Sequence, residues 1–179
     1  MKKKTIWLCS ILAVVVALIA GSIVDSVLTR KHYEEQYNYA YIALFVTERN
    51  EVALLYQSLN QTIDTPNDEN YARSLEIVKQ TEEACMLTYA SNSNLVETYG
   101  AGSFYYATFF RDIKATLAER SINDLLNISE LLGIIISLYD SHSNPVTINE
   151  KIKSIEEFYK SLSMLNDKMK SISDELNTY

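Results

Sequence analysis

Apolar side chains recur every three to four positions along almost the whole chain, and the first departure from that pattern comes at the start. From Thr5 to Val24 the residues read TIWLCSILAVVVALIAGSIV, without a charge. Twenty residues in a helix span about 30 Å, enough to cross a bilayer core. Lys2, Lys3 and Lys4 precede the run, whereas Asp25, Arg30, Lys31, Glu34 and Glu35 after it nearly cancel. That asymmetry predicts a cytoplasmic tip at 1–4, a transmembrane signal-anchor helix at 5–24, and residues 25–179 outside the cytoplasm, as in a single-pass protein of the cell membrane. The alternative is a signal peptide cleaved near Ala20-Gly21-Ser22, with the remainder secreted. The length of the run and the helix-forming sequence beyond Asp25 favour the anchor.

After the run, helical periodicity is interrupted at three places: Asp64-Thr65-Pro66-Asn67, Gly100-Ala101-Gly102, and Asp140 to Pro145. The breaks predict helices over about 26–63, 66–98, 103–140 and 147–177. The first carries Tyr37, Tyr41, Leu44, Phe45, Val52, Leu55, Leu59 and Ile63 at core spacing. The second opens with Thr65 as the expected N-cap and Pro66 at the first helical position. Its seam steps by four and three, as in a coiled coil, through Tyr71, Leu75, Val78, Glu82, Cys85 and Tyr89. The third carries Tyr106, Phe110, Ile113, Leu117, Leu125, Ile128, Leu132, Ile135 and Tyr139, and is apolar nearly all round over 131–138. The fourth has Thr147 and Glu150 spaced as a capping box, then Ile148, Ile152, Ile155, Phe158 or Tyr159, Leu162, Leu165 and Met169. Short connections make successive helices antiparallel neighbours. The expected fold is therefore all-α, an N-terminal transmembrane helix followed by an antiparallel up-down-up-down four-helix bundle.

Composition supports this and removes alternatives. The 179 residues include only 4 Gly and 2 Pro, where average usage gives roughly 13 and 9. Turn-rich β folds and glycine-rich phosphate loops have too little to build on. Removing residues 1–24 leaves 13 basic against 23 acidic residues, a surface that repels nucleic acid. Cys9 and Cys85 fall in different phases of the chain, so an internal disulfide is not expected.

The predicted topology collects two groups of residues. Nine of the 13 tyrosines fall in the membrane-near half, and Tyr37, Tyr41, Tyr89, Tyr99, Tyr105 and Tyr106, with Phe110, form a candidate interaction or ligand surface. They either fill the base of the bundle and anchor it at headgroup level, or recognise a lipid, an apolar ligand or another membrane helix. Counting residues from the membrane end puts Glu48, Glu82 and Arg120 at one depth. These three either form a buried polar layer, with Arg120 between the carboxylates, or stand at seam edges and reach water.

Chemistry for catalysis is missing from the pattern. Neither His32 nor His142 follows a carboxylate by three positions, as inward-facing metal sites in helical bundles require. Asp140, His142 and Asn144 alternate like the start of a calcium loop but lack its later Gly and Glu. Asn60-Gln61-Thr62 and Asn127-Ile128-Ser129 fit the glycosylation pattern, which matters only in a eukaryotic secretory setting. No cofactor, metal or enzymatic activity is expected. The implied partners are the membrane and another membrane or envelope protein, and a homo-oligomer is compatible with the sequence. The expected function is non-enzymatic protein interaction, as a subunit or accessory factor of an envelope complex. The alternative is ligand sensing through a membrane partner, since the predicted architecture resembles the sensory domains of bacterial chemoreceptors and sensor kinases.

Overall fold

The computed structural model describes residues 2–91, 101–142, 145–165 and 168–170, with side chains from 21 onward except those of 101–108. The protein is all-α, with helices α1 (Lys2–Asp64), α2 (Asp68–Ser91), α3 (Ala101–Glu119), α4 (Ile122–Ser141) and α5 (Ile148–Ser163). It divides into two compact units, Met1–Tyr39 and Ala40–Tyr179.

Within the first unit the described side chains from Gly21 to Tyr39 are exposed except for a half-exposed Asn38. Arg30 Nε donates to Glu34 Oε1 at 3.0 Å, and Gln36 and His32 meet at 3.0 Å. Such pairs one turn apart support a helix surface by a few tenths of a kcal/mol, on the order of 0.2–0.5 each.

The second unit is held by a core that all five described helices feed. Its largest fully buried side chains include Tyr41 and Leu55 from α1, Phe110 and Leu117 from α3, Tyr139 from α4 and Phe158 from α5. Cross-helix bonds give the directions. Thr81 Oγ1 donates to the Glu51 carbonyl at 3.2 Å, Ser58 and Ser74 meet at 2.7 Å, and Thr62 Oγ1 donates to the Asn70 carbonyl at 3.2 Å. Positions rising on α1 meet positions falling on α2, so the two run antiparallel. The same test holds for α1 and α4, through Glu48 with Tyr139 and Asn60 with Ser129.

On α2 the buried stripe is Tyr71, Ser74, Val78, Thr81, Cys85 and Thr88. Its spacing is the predicted one, but the small hydroxyl residues occupy half of it, whereas Leu75, Glu82 and Tyr89 are half-buried at its edge. The hydroxyls bond back to their own helix or across to α1, which satisfies them on a stripe where Leu75, Glu82 and Tyr89 were expected. The cap also differs from expectation. Asn67, rather than Thr65, accepts the Asn70 amide through its side chain at 2.8 Å, and α2 starts at Asp68, two residues after the predicted start.

The main departure lies in the third predicted segment. Instead of one helix over 103–140, α3 ends at Glu119, Arg120 adopts φ 59°, and extended Ser121 opens α4. A non-glycine residue in the left-handed region costs about 1–2 kcal/mol. Here Arg120 Nη2 reaches Asp68 Oδ1 at 2.7 Å and its guanidinium lies 5.1 Å from the centre of the Tyr71 ring, tying the turn to the start of α2. The reversal turns α4 back alongside α1. Through Thr147, whose side chain accepts the Glu150 amide at 3.3 Å while Glu150 accepts the Thr147 amide at 2.9 Å, α5 opens with the predicted capping box. Its continuation approaches α4 again where Lys168 Nζ stands 3.7 Å from Glu130 Oε1.

By length and composition, α4 is apolar enough to cross a membrane. Its apolar face instead packs in the core, with Leu131, Leu132 and Ile135 fully buried. The 131–138 stretch is therefore mainly interior. Gly133 sits within this helix, and a Cβ there would meet the Tyr56 ring at 3.6 Å, an ordinary contact. Gly133→Ala should stabilise the protein by about 0.5–1 kcal/mol, because it removes unfolded-state freedom and introduces no clash. Urea unfolding of the two proteins measures this; a loss of stability would place Tyr56 closer than described.

Candidate functional site

The described residues among those singled out in the sequence have definite places, and few of them meet. Of the aromatic group, Tyr41 and Phe110 are core residues and Tyr89 is half-buried, so these do not form a surface. Tyr37 is exposed on the first unit. Tyr99 and the side chains of Tyr105 and Tyr106 lie outside the described residues. The polar layer is not formed. Glu82 pairs with Lys114 of α3, Arg120 with Asp68, and Glu48 with two tyrosines, so three separate interactions replace one. The reversal at Arg120 is the cause, since it carries that residue to the end where α2 begins.

Glu48 is the unusual group. It is fully buried on α1, with Phe45 one turn before it and Val52 one turn after it in the core. The Tyr139 hydroxyl of α4 donates to Oε1, and that of Tyr159 on α5 donates to Oε2 at 2.7 Å. From α2 the Thr88 hydroxyl, which also reaches the Ala84 carbonyl at 3.0 Å, supports the same carboxylate. Four helices therefore converge on one acid.

Rings close the site. Phe158 stacks on Tyr139 with centres 4.1 Å apart, and Phe45 meets Phe158 edge-on at 5.1 Å. Little water reaches the carboxylate, and burial pushes Glu48 from its ordinary 4.5 up to about 7, with the hydrogen bonds from Tyr139, Tyr159 and Thr88 pulling the other way. Burial, with Glu48 beside it, also pushes the Tyr159 hydroxyl well above its ordinary value, so it stays a donor. An acid of this kind can hold or release a proton near neutrality. Both of its oxygens are nevertheless occupied by tyrosines of its own chain, which suits the locking of helices better than contact with a substrate.

Other chemistry is sparse. Among the described residues no three His, Cys, Asp or Glu side chains lie close enough to hold a metal ion. Cys85 is buried and takes part in no disulfide. Asn60, in one of the two glycosylation patterns, gives its amide to the Tyr56 carbonyl at 2.9 Å and accepts from Ser129 at 2.9 Å.

Tyr139 and Tyr159 appear in the sequence only as core-spaced positions. Treating 103–140 as one rising helix carries Tyr139 away from Glu48; with the turn at Arg120, it returns to the same level. Ser121 followed by Asp124, a pattern that opens helices, was the available signal. Compared with protein-family models, curated proteins and solved structures, the chain matches none.

Proposed function

We propose that the protein is a single-pass membrane protein in which residues 5–24 anchor an extracytoplasmic helical bundle, and that it acts by non-enzymatic protein interaction as a subunit or accessory factor of an envelope complex. The observation that carries this reading is the uncharged run Thr5–Val24 inside a helix that continues unbroken from Lys2 to Asp64. A cleaved leader would end in the middle of that helix. Lys2, Lys3 and Lys4 supply the charge that holds the N-terminus in the cytoplasm. The Glu48 cluster contributes rigidity, because one buried acid bonded from three directions fixes the register of the helices around it. Val46 and Leu54 on α1 and Met86 and Leu87 on α2 are large apolar side chains left about half exposed, and they offer contact area to a partner.

Alkaline carbonate extraction of membranes, with the mass of the recovered chain, tests the anchor. The full-length protein is expected in the pellet. Recovery in the supernatant, or a chain shortened by its first 20 or so residues, would overturn the proposal.

A further inference from the structure

Near the Glu48 cluster the surface of the second unit holds a half-open pocket of about 110 Å³. Ile42, Phe45 and Val46 of α1 and Ile155 of α5 give it an apolar lining, and its charged groups are Arg49 and Lys151. Among the described residues no acidic side chain lines it, although the whole chain carries a net charge of −7. The two cations differ. Arg49 is already held by Asp140, with Nε at 3.2 Å and Nη2 at 2.5 Å from Oδ1. Lys151 has no carboxylate partner among the described residues. His142 forms part of the wall, fixed by its Nδ1 at 2.8 Å from the Leu138 carbonyl.

An ammonium with no carboxylate partner among the described residues, beside an apolar lining, selects a singly charged anion with a compact apolar body. Phosphate esters are disfavoured because the guanidinium that would grip them by two hydrogen bonds is occupied. The space is smaller than the cavity of about 150 Å³ that accepts benzene, so the body holds about four or five carbon atoms. We propose that this pocket binds a short branched aliphatic carboxylate, with its chain against Ile42, Phe45, Val46 and Ile155 and its carboxylate on Lys151. Such binding would brace α1 against α5 and the connection before it. The proposal does not depend on whether residues 5–24 cross a membrane, so either can fail alone.

The test is calorimetric titration of the full chain, in neutral lipid nanodiscs, with 3-methylbutanoate at fixed ionic strength. Saturable one-to-one binding is expected, with 3-methylbutan-1-ol and acetate both weaker. Lys151→Ala should weaken the acid about fivefold and leave the alcohol unchanged. Val46→Trp, at an exposed position where folding is not at risk, should abolish binding of the acid by filling the mouth. A short acetylated peptide ending in valine serves as a second arm, and the free acid is expected to bind at least as tightly. Absence of saturable binding, equal binding of acid and alcohol, indifference to both substitutions, or tighter binding of the peptide would each overturn the proposal.

Discussion

Phe158→Ala should destabilise the protein by about 3–5 kcal/mol, the range for removing a large ring from a packed interior. Phe158 is fully buried, stacks on Tyr139 at 4.1 Å, and meets the Phe45 and Tyr159 rings at 5.1 Å each. Those neighbours belong to three helices and are themselves held by Glu48 or by the core, so they cannot easily move in to fill the space. A domain of this size is stable by only about 5–15 kcal/mol, so a large share would be lost. Phe158→Leu, which keeps most of the volume, should cost less. Urea unfolding followed by helical circular dichroism measures both; a loss below about 1 kcal/mol for the alanine variant would mean that α5 does not pack as described.

Raising the pH from 4.5 to 7 should remove about 3 kcal/mol of stability through Glu48 alone. Its carboxyl is pushed from 4.5 up to about 7 in the folded chain, and the difference is worth about 1.4 kcal/mol for each pH unit. The folded state binds the proton more tightly than the unfolded state. Its contribution is therefore complete below about 4.5, declines as pH rises through 7, and is gone above that. Glu150 acts in the opposite sense, because the backbone and side chain of Thr147 hold its carboxyl below the ordinary value. Its contribution is lost on acidification, outside the Glu48 window. Glu48→Gln isolates the effect: the wild type should lose stability from pH 5 to pH 8 relative to the variant, whose curve should lack this component. Parallel curves would show that water or another charge reaches the carboxylate.

What the sequence revealed and what it hid follow from different physics. Helix type and most core positions were legible, because burying one stripe of a helix demands a fixed spacing: Phe110, Ile113, Leu117, Leu125, Ile128, Leu132, Ile135 and Tyr139 are all buried as their periodicity implied. The capping box at Thr147 was legible because its chemistry is local. The turn at Arg120 was not, because neither Gly nor Pro marks it and an arginine takes the left-handed backbone, tied to Asp68 and Tyr71. The missed reversal then misplaced everything counted through it, including the depth of Arg120 and the pairing of Tyr139 with Glu48. On α2 the hydroxyls of Ser74, Thr81 and Thr88 were hidden for another reason. Small polar residues enter a core when they are hydrogen-bonded there, and the partner is distant in sequence for Ser74 with Ser58 and for Thr81 with Glu51.

If residues 5–24 hold the helical domain on the outer side of a membrane, as proposed, site-directed labelling in intact cells will report it. In a Cys9→Ser background, single cysteines are placed at exposed Thr65 and at Lys3, while buried Cys85 remains as an internal control for unfolding. With a membrane-impermeant maleimide, the chain carrying Thr65→Cys should be labelled in intact cells, and the chain carrying Lys3→Cys only after the cells are permeabilised. Labelling of Thr65→Cys only after permeabilisation, or of both positions before it, would overturn the proposed topology.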